Sequence, residues 1–159
     1  MTKISSSAWI LNECEVTLSK DWQVLNRYIF SNVTCNAWRT SIAQRLHDDT
    51  AWLGVIKYIW IWTSSTVATI TDTQLWTEIY RQEIDLINSS NTTTVSTIYA
   101  SFPTWPTYTV YEAWVFLDAS ATSTLNTWSL LCHSIFWASI TKPVDQVLTV
   151  KWTISINNV

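Results

Sequence analysis

Only one residue of this 159-residue chain, Gly54, is a glycine, while twelve are tryptophan. Glycine adopts φ > 0 without steric cost, and tight turns between strands commonly demand it. A chain with so little of it has few unstrained ways to reverse direction, unless other residues stand where glycine normally would. At the usual share of about 7%, a chain of this length would hold roughly eleven glycines. One glycine and twelve tryptophans make thirteen, which is about eleven glycines plus a normal couple of tryptophans.

Composition narrows the class further. Hydrophobic residues make up 48% of the chain and charged ones only 13%, against roughly 25% charged in an average soluble domain. The net charge of −3 gives no electrostatic footprint for nucleic acid or anionic lipid. No apolar run approaches the roughly 20 residues of a membrane span; the longest, 55–62, is broken by Lys57. The N-terminal segment lacks an apolar core followed by a small-residue cleavage site, so no secretory signal is expected. Cys14, Cys35 and Cys132 are odd in number and widely spaced, which argues against a disulfide framework or a zinc site. Serine and threonine number 18 and 24. With β-branched and aromatic residues this abundant, the chain reads as β-rich and soluble.

The clearest strand is the last. Leu148, Val150, Trp152, Ile154 and Ile156 alternate with Thr149, Lys151, Thr153 and Ser155, the period of a strand with one buried face. Tyr80, Gln82, Ile84 and Leu86 against Arg81, Glu83 and Asp85 predict a second strand, and 94–102 a third. Between these two, Asn88-Ser89-Ser90-Asn91 is turn chemistry that predicts a hairpin. Further strands are expected at 13–18, 23–30, 55–61, 110–117 and 129–140. One helix is expected at 36–46, where Trp38, Ile42 and Leu46 fall at i, i+4 and i+8 behind a capping Asn36. The expectation is one mainly β domain over 1–159, an antiparallel β-sandwich-like fold with a single short helix and an N-terminal hairpin within 1–30.

Several tryptophans occupy glycine-like positions. Asp21-Trp22 lies between two expected strands, where Asp-Gly would be the ordinary turn. Trp105 sits between Pro103 and Pro106, and Trp128 follows Asn126-Thr127 just before an apolar strand. Such places often require φ > 0. Trp152, by contrast, belongs to the buried face of a clean strand.

With Tyr58-Ile59-Trp60-Ile61-Trp62-Thr63 as its most telling stretch, the chain resembles small tail-associated structural proteins of tailed bacteriophages, including the tail-collar fibre type of N-terminal domain. Asn32 and Thr34 match a first family element, with Trp38 where its glycine belongs. Residues 58–63 match an Ile-Ala-Ile-Gly-Thr element, with Trp62 at the glycine, Trp60 at the small residue and Thr63 in register. Thr73, Leu75, Glu78 and Arg81 match a third element, with Trp76 replacing its glycine. Glu112, Val115 and Phe116 match a fourth, and Trp114 again replaces a glycine. Lys142-Pro143 and 148–156 match the close, where Trp152 agrees with a family tryptophan. The similarity spans 31–159 in outline; its order and spacing are more specific than any single motif.

The departures from the family pattern are systematic, because its glycines become tryptophan rather than scattering among Ala, Ser, Asn and Asp. Some bacterial lineages and their phages read the codon UGA as glycine, whereas another common table reads it as tryptophan. A gene of the first kind translated by the second table gives this pattern. On that reading Trp22, Trp38, Trp62, Trp76, Trp105, Trp114 and Trp128 stand at glycine positions, and Trp152 is genuine. Trp9 and Trp52 are assigned to neither group. Glycine-like tryptophans are then expected in turns, with exposed rings or at positive φ, and Trp152 buried in a strand.

No catalytic or metal-binding constellation emerges, and no cofactor is implied. His47-Asp48-Asp49 reads as a solvated loop. His133 lies beside Cys132, but neighbours on a strand point to opposite faces, so a nucleophile–base pair is not expected. Glu78 and Arg81 suggest an ion pair fixing strand ends, and Asp118 and Asp145 loop carboxylates. The N-x-[ST] sequons at Asn32, Asn88 and Asn91 carry little without a secretory signal.

The resemblance implies a non-enzymatic virion protein of a phage tail, baseplate or fibre-attachment region, located in the virion tail after assembly in the host cytoplasm. Its implied partners are other tail or baseplate proteins and copies of itself, with the edge strand at 80–87 a place for pairing. Neither nucleic acid nor membrane insertion is expected. The alternative is a carbohydrate-binding module for a host surface glycan, using exposed indoles as stacking platforms.

Overall fold

Alternation in the last strand sets the pattern for the whole molecule, seen in a computed structural model that describes residues 8–31, 33–34, 56–63, 78–92, 95–104, 106–117 and 130–158. Ten strands run in chain order: β1 (Ala8–Lys20), β2 (Gln23–Ser31), β3 (Val33–Thr34), β4 (Ile56–Trp62), β5 (Glu78–Glu83), β6 (Ser90–Asn91), β7 (Val95–Phe102), β8 (Tyr108–Leu117), β9 (Leu130–Lys142) and β10 (Val147–Asn158). They form two five-stranded antiparallel sheets, not closed into a barrel. Sheet A has the order β2-β1-β10-β7-β6 and sheet B the order β3-β9-β8-β4-β5. The mainly β expectation therefore holds. The helix expected at 36–46 lies outside the described residues.

Strand β10 is the centre of sheet A, and its inward residues form rows with both neighbours. Trp152 faces Cys14 of β1 and Ile98 of β7, Val150 faces Val16 and Ala100, and Leu148 faces Leu18 and Phe102. All nine are buried. Cys14 and Ala100 are small, which leaves volume for the indole of Trp152 and for the opposing sheet. From sheet B come Ile59, Ile61, Val110, Ala113, Val115, Phe136 and Ile140, which join the same cluster. One core thus lies between the sheets, and burying each large side chain in it contributes roughly 1.5–3 kcal/mol.

One expected hairpin is not formed. Strands β5 and β7 belong to different sheets, so 80–102 is a crossing rather than a local pair. The expected strand over 80–86 ends at Glu83. Asp85 causes the break: its carboxylate accepts from the backbone N–H groups of Ile87 (2.9 Å) and Asn88 (3.2 Å), and its carbonyl accepts from Ser89 N–H (3.0 Å). This Asx-type turn lifts the chain out of sheet B. Only Ser90 and Asn91 then pair with Thr97 and Ser96.

The β1–β2 connection is a true hairpin. Lys20 pairs with Gln23, leaving Asp21 and Trp22 as a two-residue loop. Asp21 has φ of 50° and Trp22 of 67°. Both central residues are left-handed, which is type I′ geometry and the reason Asp-Gly dominates such loops. The Trp22 ring is fully exposed, so no burial offsets the backbone strain. A left-handed conformation costs a residue with a Cβ roughly 1–2 kcal/mol, of which glycine's greater freedom in the unfolded chain returns about 0.5–1 kcal/mol. Trp22→Gly is therefore expected to stabilise the fold by about 0.5–1 kcal/mol, read as a higher denaturant midpoint with an unchanged m-value.

Candidate functional site

Three of the motifs singled out in the sequence meet on adjacent strands of sheet B. Strand β4 places Ile59 and Ile61 toward the core, so Tyr58, Trp60 and Trp62 point to the opposite face. On one side, Trp60 pairs with Arg81 of β5 and Trp62 with Glu78. On the other, Trp60 pairs with Trp114 of β8 and Trp62 with Glu112. Two cross-strand rows result: Trp114–Trp60–Arg81 and Glu112–Trp62–Glu78. The resemblance carried Trp62, Glu78, Arg81, Glu112 and Trp114 as separate motif members; the pairing gathers them into one patch.

The geometry of this patch is specific. The rings of Trp62 and Trp114 stack with centroids 6.3 Å apart at 22°. The Arg81 guanidinium lies 3.4 Å from the Trp60 ring centroid and 5.9 Å from that of Tyr58, a cation–π arrangement. Trp114 Nε1 donates to Glu112 Oε2 at 2.8 Å. Glu112 is 2% exposed and Arg81 9%. Burying charge is costly unless it is hydrogen-bonded or paired, and these contacts engage both groups. Both side chains are held by the strands around them, Arg81 against the Trp60 ring and Glu112 by the Trp114 indole.

The other singled-out residues are dispersed. Trp152 lies in the inter-sheet core, on the other sheet. Trp22 is at the β1–β2 turn, and Thr63 is exposed just beyond β4. Thr34 pairs with Cys132 across β3 and β9, and Phe116 with Leu130 across β8 and β9. Asn32, Trp38, Leu75, Trp76, Trp105 and Trp128, with the His47 loop, lie outside the described residues. Contrary to the expectation of turns, exposure or positive φ, Trp62 and Trp114 lie in strands at 3% and 4% exposure. They bury against each other because neighbouring outward positions on β4 and β8 are both occupied by indoles.

Two polar clusters went unnoticed in the sequence. Lys142 is fully buried and donates to three backbone carbonyls: Thr104 (2.8 Å), Pro143 and Gln146 (both 3.2 Å). Its ammonium also lies 5.0 Å from the Tyr108 ring centroid. One side chain thus ties the β7–β8 connection to the β9–β10 turn, and burial lowers its pKa. The usable signal was parity: Lys142 falls two residues after the inward Ile140. On the outer face of sheet A, Glu15 accepts from Arg27 at 2.8 Å and from Lys151 at 3.4 Å. Nearby, the facing Thr17, Thr149 and Ser101 belong with Ser19, Trp22 and Val24 to a groove of about 460 Å³.

Among the described residues there is no group of three His, Cys, Asp or Glu side chains placed to hold a metal, and no helix long and apolar enough to cross a membrane. Burial, ahead of all other causes, pushes the Cys14 thiol pKa far up, so this thiol is protonated and unreactive at neutral pH. Comparison with family models, with curated proteins and with solved structures finds no match.

The Glu15 cluster generates a pH dependence. The hydrogen bond from Arg27, followed in effect by the charge of Lys151, holds the Glu15 carboxyl below its ordinary value of 4.5, against the opposing effect of burial. A depressed folded-state pKa contributes stability that is complete above the unfolded value and lost as pH falls through the folded one. Glu15→Gln is expected to lower stability at pH 7 and to flatten the fall in stability below pH 4.5, measured by denaturant unfolding across the acid range.

Proposed function

We propose that the chain is a non-enzymatic structural component of a tailed-phage virion, in the tail, baseplate or fibre-attachment region, working through protein–protein assembly. In this reading the two sheets are a β-sandwich carrying one short helix at 36–46, and the protein is assembled in the host cytoplasm. The observation that carries the proposal is the ordered series of motif residues from Asn32 to Trp152, three of whose elements converge on the β4, β5 and β8 patch. A stacked arginine and a buried carboxylate bonded to an indole suit register and rigidity, properties an assembly protein needs. Strands β2 and β5 stand at the outer positions of their sheets, and β2 exposes Val24, Leu25 and Ile29. Such edges suit strand addition by other tail proteins or by copies of the chain.

A glycan-binding module is the second reading, and the groove beside the exposed Trp22 supports it: hydroxyls of Thr17, Ser19, Ser101 and Thr149 accompany an indole. The two readings part on a glycan array: a binding module is expected to bind a host surface glycan and to go on doing so with glycine at 22, whereas an assembly protein needs no glycan.

Sedimentation of the purified chain, with peptide mass spectrometry of purified phage particles, tests the proposal. An oligomer in solution and the chain among particle proteins are expected. A chain that stays monomeric at high concentration and is absent from particles overturns it.

A further inference from the structure

We infer that the protein made in its own host carries glycine at positions 22 and 137, encoded by UGA read as glycine, while Trp152 is a true tryptophan. This stands independently of the virion reading, because it rests on backbone geometry and register at these positions.

Position 22 is the second central residue of a type I′ turn at φ 67°, with its ring wholly in solvent. Neither the backbone nor burial favours tryptophan there, and both conditions suit glycine. Position 137 lies in an irregular stretch of β9. Val110 faces Ile140 while Glu112 faces Ile135, so the four residues 136–139 lie opposite Tyr111 alone. Trp137 sits inside this wide bulge at 78% exposure. Glycine within a strand commonly marks such a bulge.

Trp60, Trp62 and Trp114 show no such signature: they lie within strands at 1%, 3% and 4% exposure. Position 152 differs from 22 and 137 in every respect: it lies in a regular strand, at 0% exposure, in a row completed by the small Cys14. The Nε1 groups of Trp62 and Trp152 are alike in lacking an acceptor among the described residues, so the assignment rests on backbone and register, not on hydrogen bonding.

The gene sequence and the native protein test this together. UGA is expected at codons 22 and 137, and UGG at 152. Trypsin releases 21–27 after Lys20 and cuts again after Lys151. In protein isolated from its natural source, 21–27 is expected to be lighter by the difference between tryptophan and glycine, and the peptide that begins at 152 to retain tryptophan. UGG at codon 22 or 137, tryptophan in the native 21–27 peptide, or UGA at codon 152 overturns the inference.

Discussion

The fold depends first on the packing of Trp152. Its indole occupies the centre of β10, the middle strand of sheet A, with Cys14 and Ile98 level with it on either side. The same apolar cluster reaches Ile59, Ala113 and Phe136 of sheet B, so this side chain belongs to what holds the two sheets together. Emptying such a site costs about 3–5 kcal/mol, a large part of the stability of a domain this size. Three polar features are arranged around that core: Glu15 with its two cations lies outside sheet A, Lys142 ties two connections, and Asp85 turns the chain from one sheet to the other.

Alternation made β10 legible, together with β1, β2 and much of β8 and β9, because one side of each contributes to a shared core. The β1–β2 turn was legible for a different reason: Asp21-Trp22 interrupts two alternating runs where Asp-Gly is the usual chemistry, and the φ angles at both residues bear this out. The failure at 80–102 is equally physical. Asn88-Ser89-Ser90-Asn91 is good turn sequence, but turn chemistry is local, and nothing local says that the strand before the turn belongs to the other sheet. Asp85, whose carboxylate and carbonyl break β5, lay within the expected alternation.

The patch on sheet B was only partly visible. Tyr58 to Trp62 is an unbroken apolar run, and such a run does not reveal which residues face the core and which the opposite side. The resemblance selected Trp62, Glu78, Arg81, Glu112 and Trp114, but only strand register shows that they form two adjacent rows. Trp60 emerges as the ring beneath Arg81, a role that its small-residue position in the family pattern does not suggest. Lys142 was hidden because a lysine in a strand is ordinarily read as outward-facing, whereas three carbonyls make an inward one tenable.

Tryptophan here occurs in settings with different physical demands. Trp152 satisfies the demands of a core residue, Trp22 contradicts its backbone, and Trp137 interrupts a ladder. The most direct measurement is denaturant unfolding of the chain as written beside one variant with glycine at 22 and 137 and another with glycine at 152. The midpoint is expected to hold or rise in the first, where both rings lie in solvent and the left-handed strain at 22 is relieved, and to fall steeply in the second, where a buried indole is emptied. A fall in the first as large as in the second would contradict this assignment.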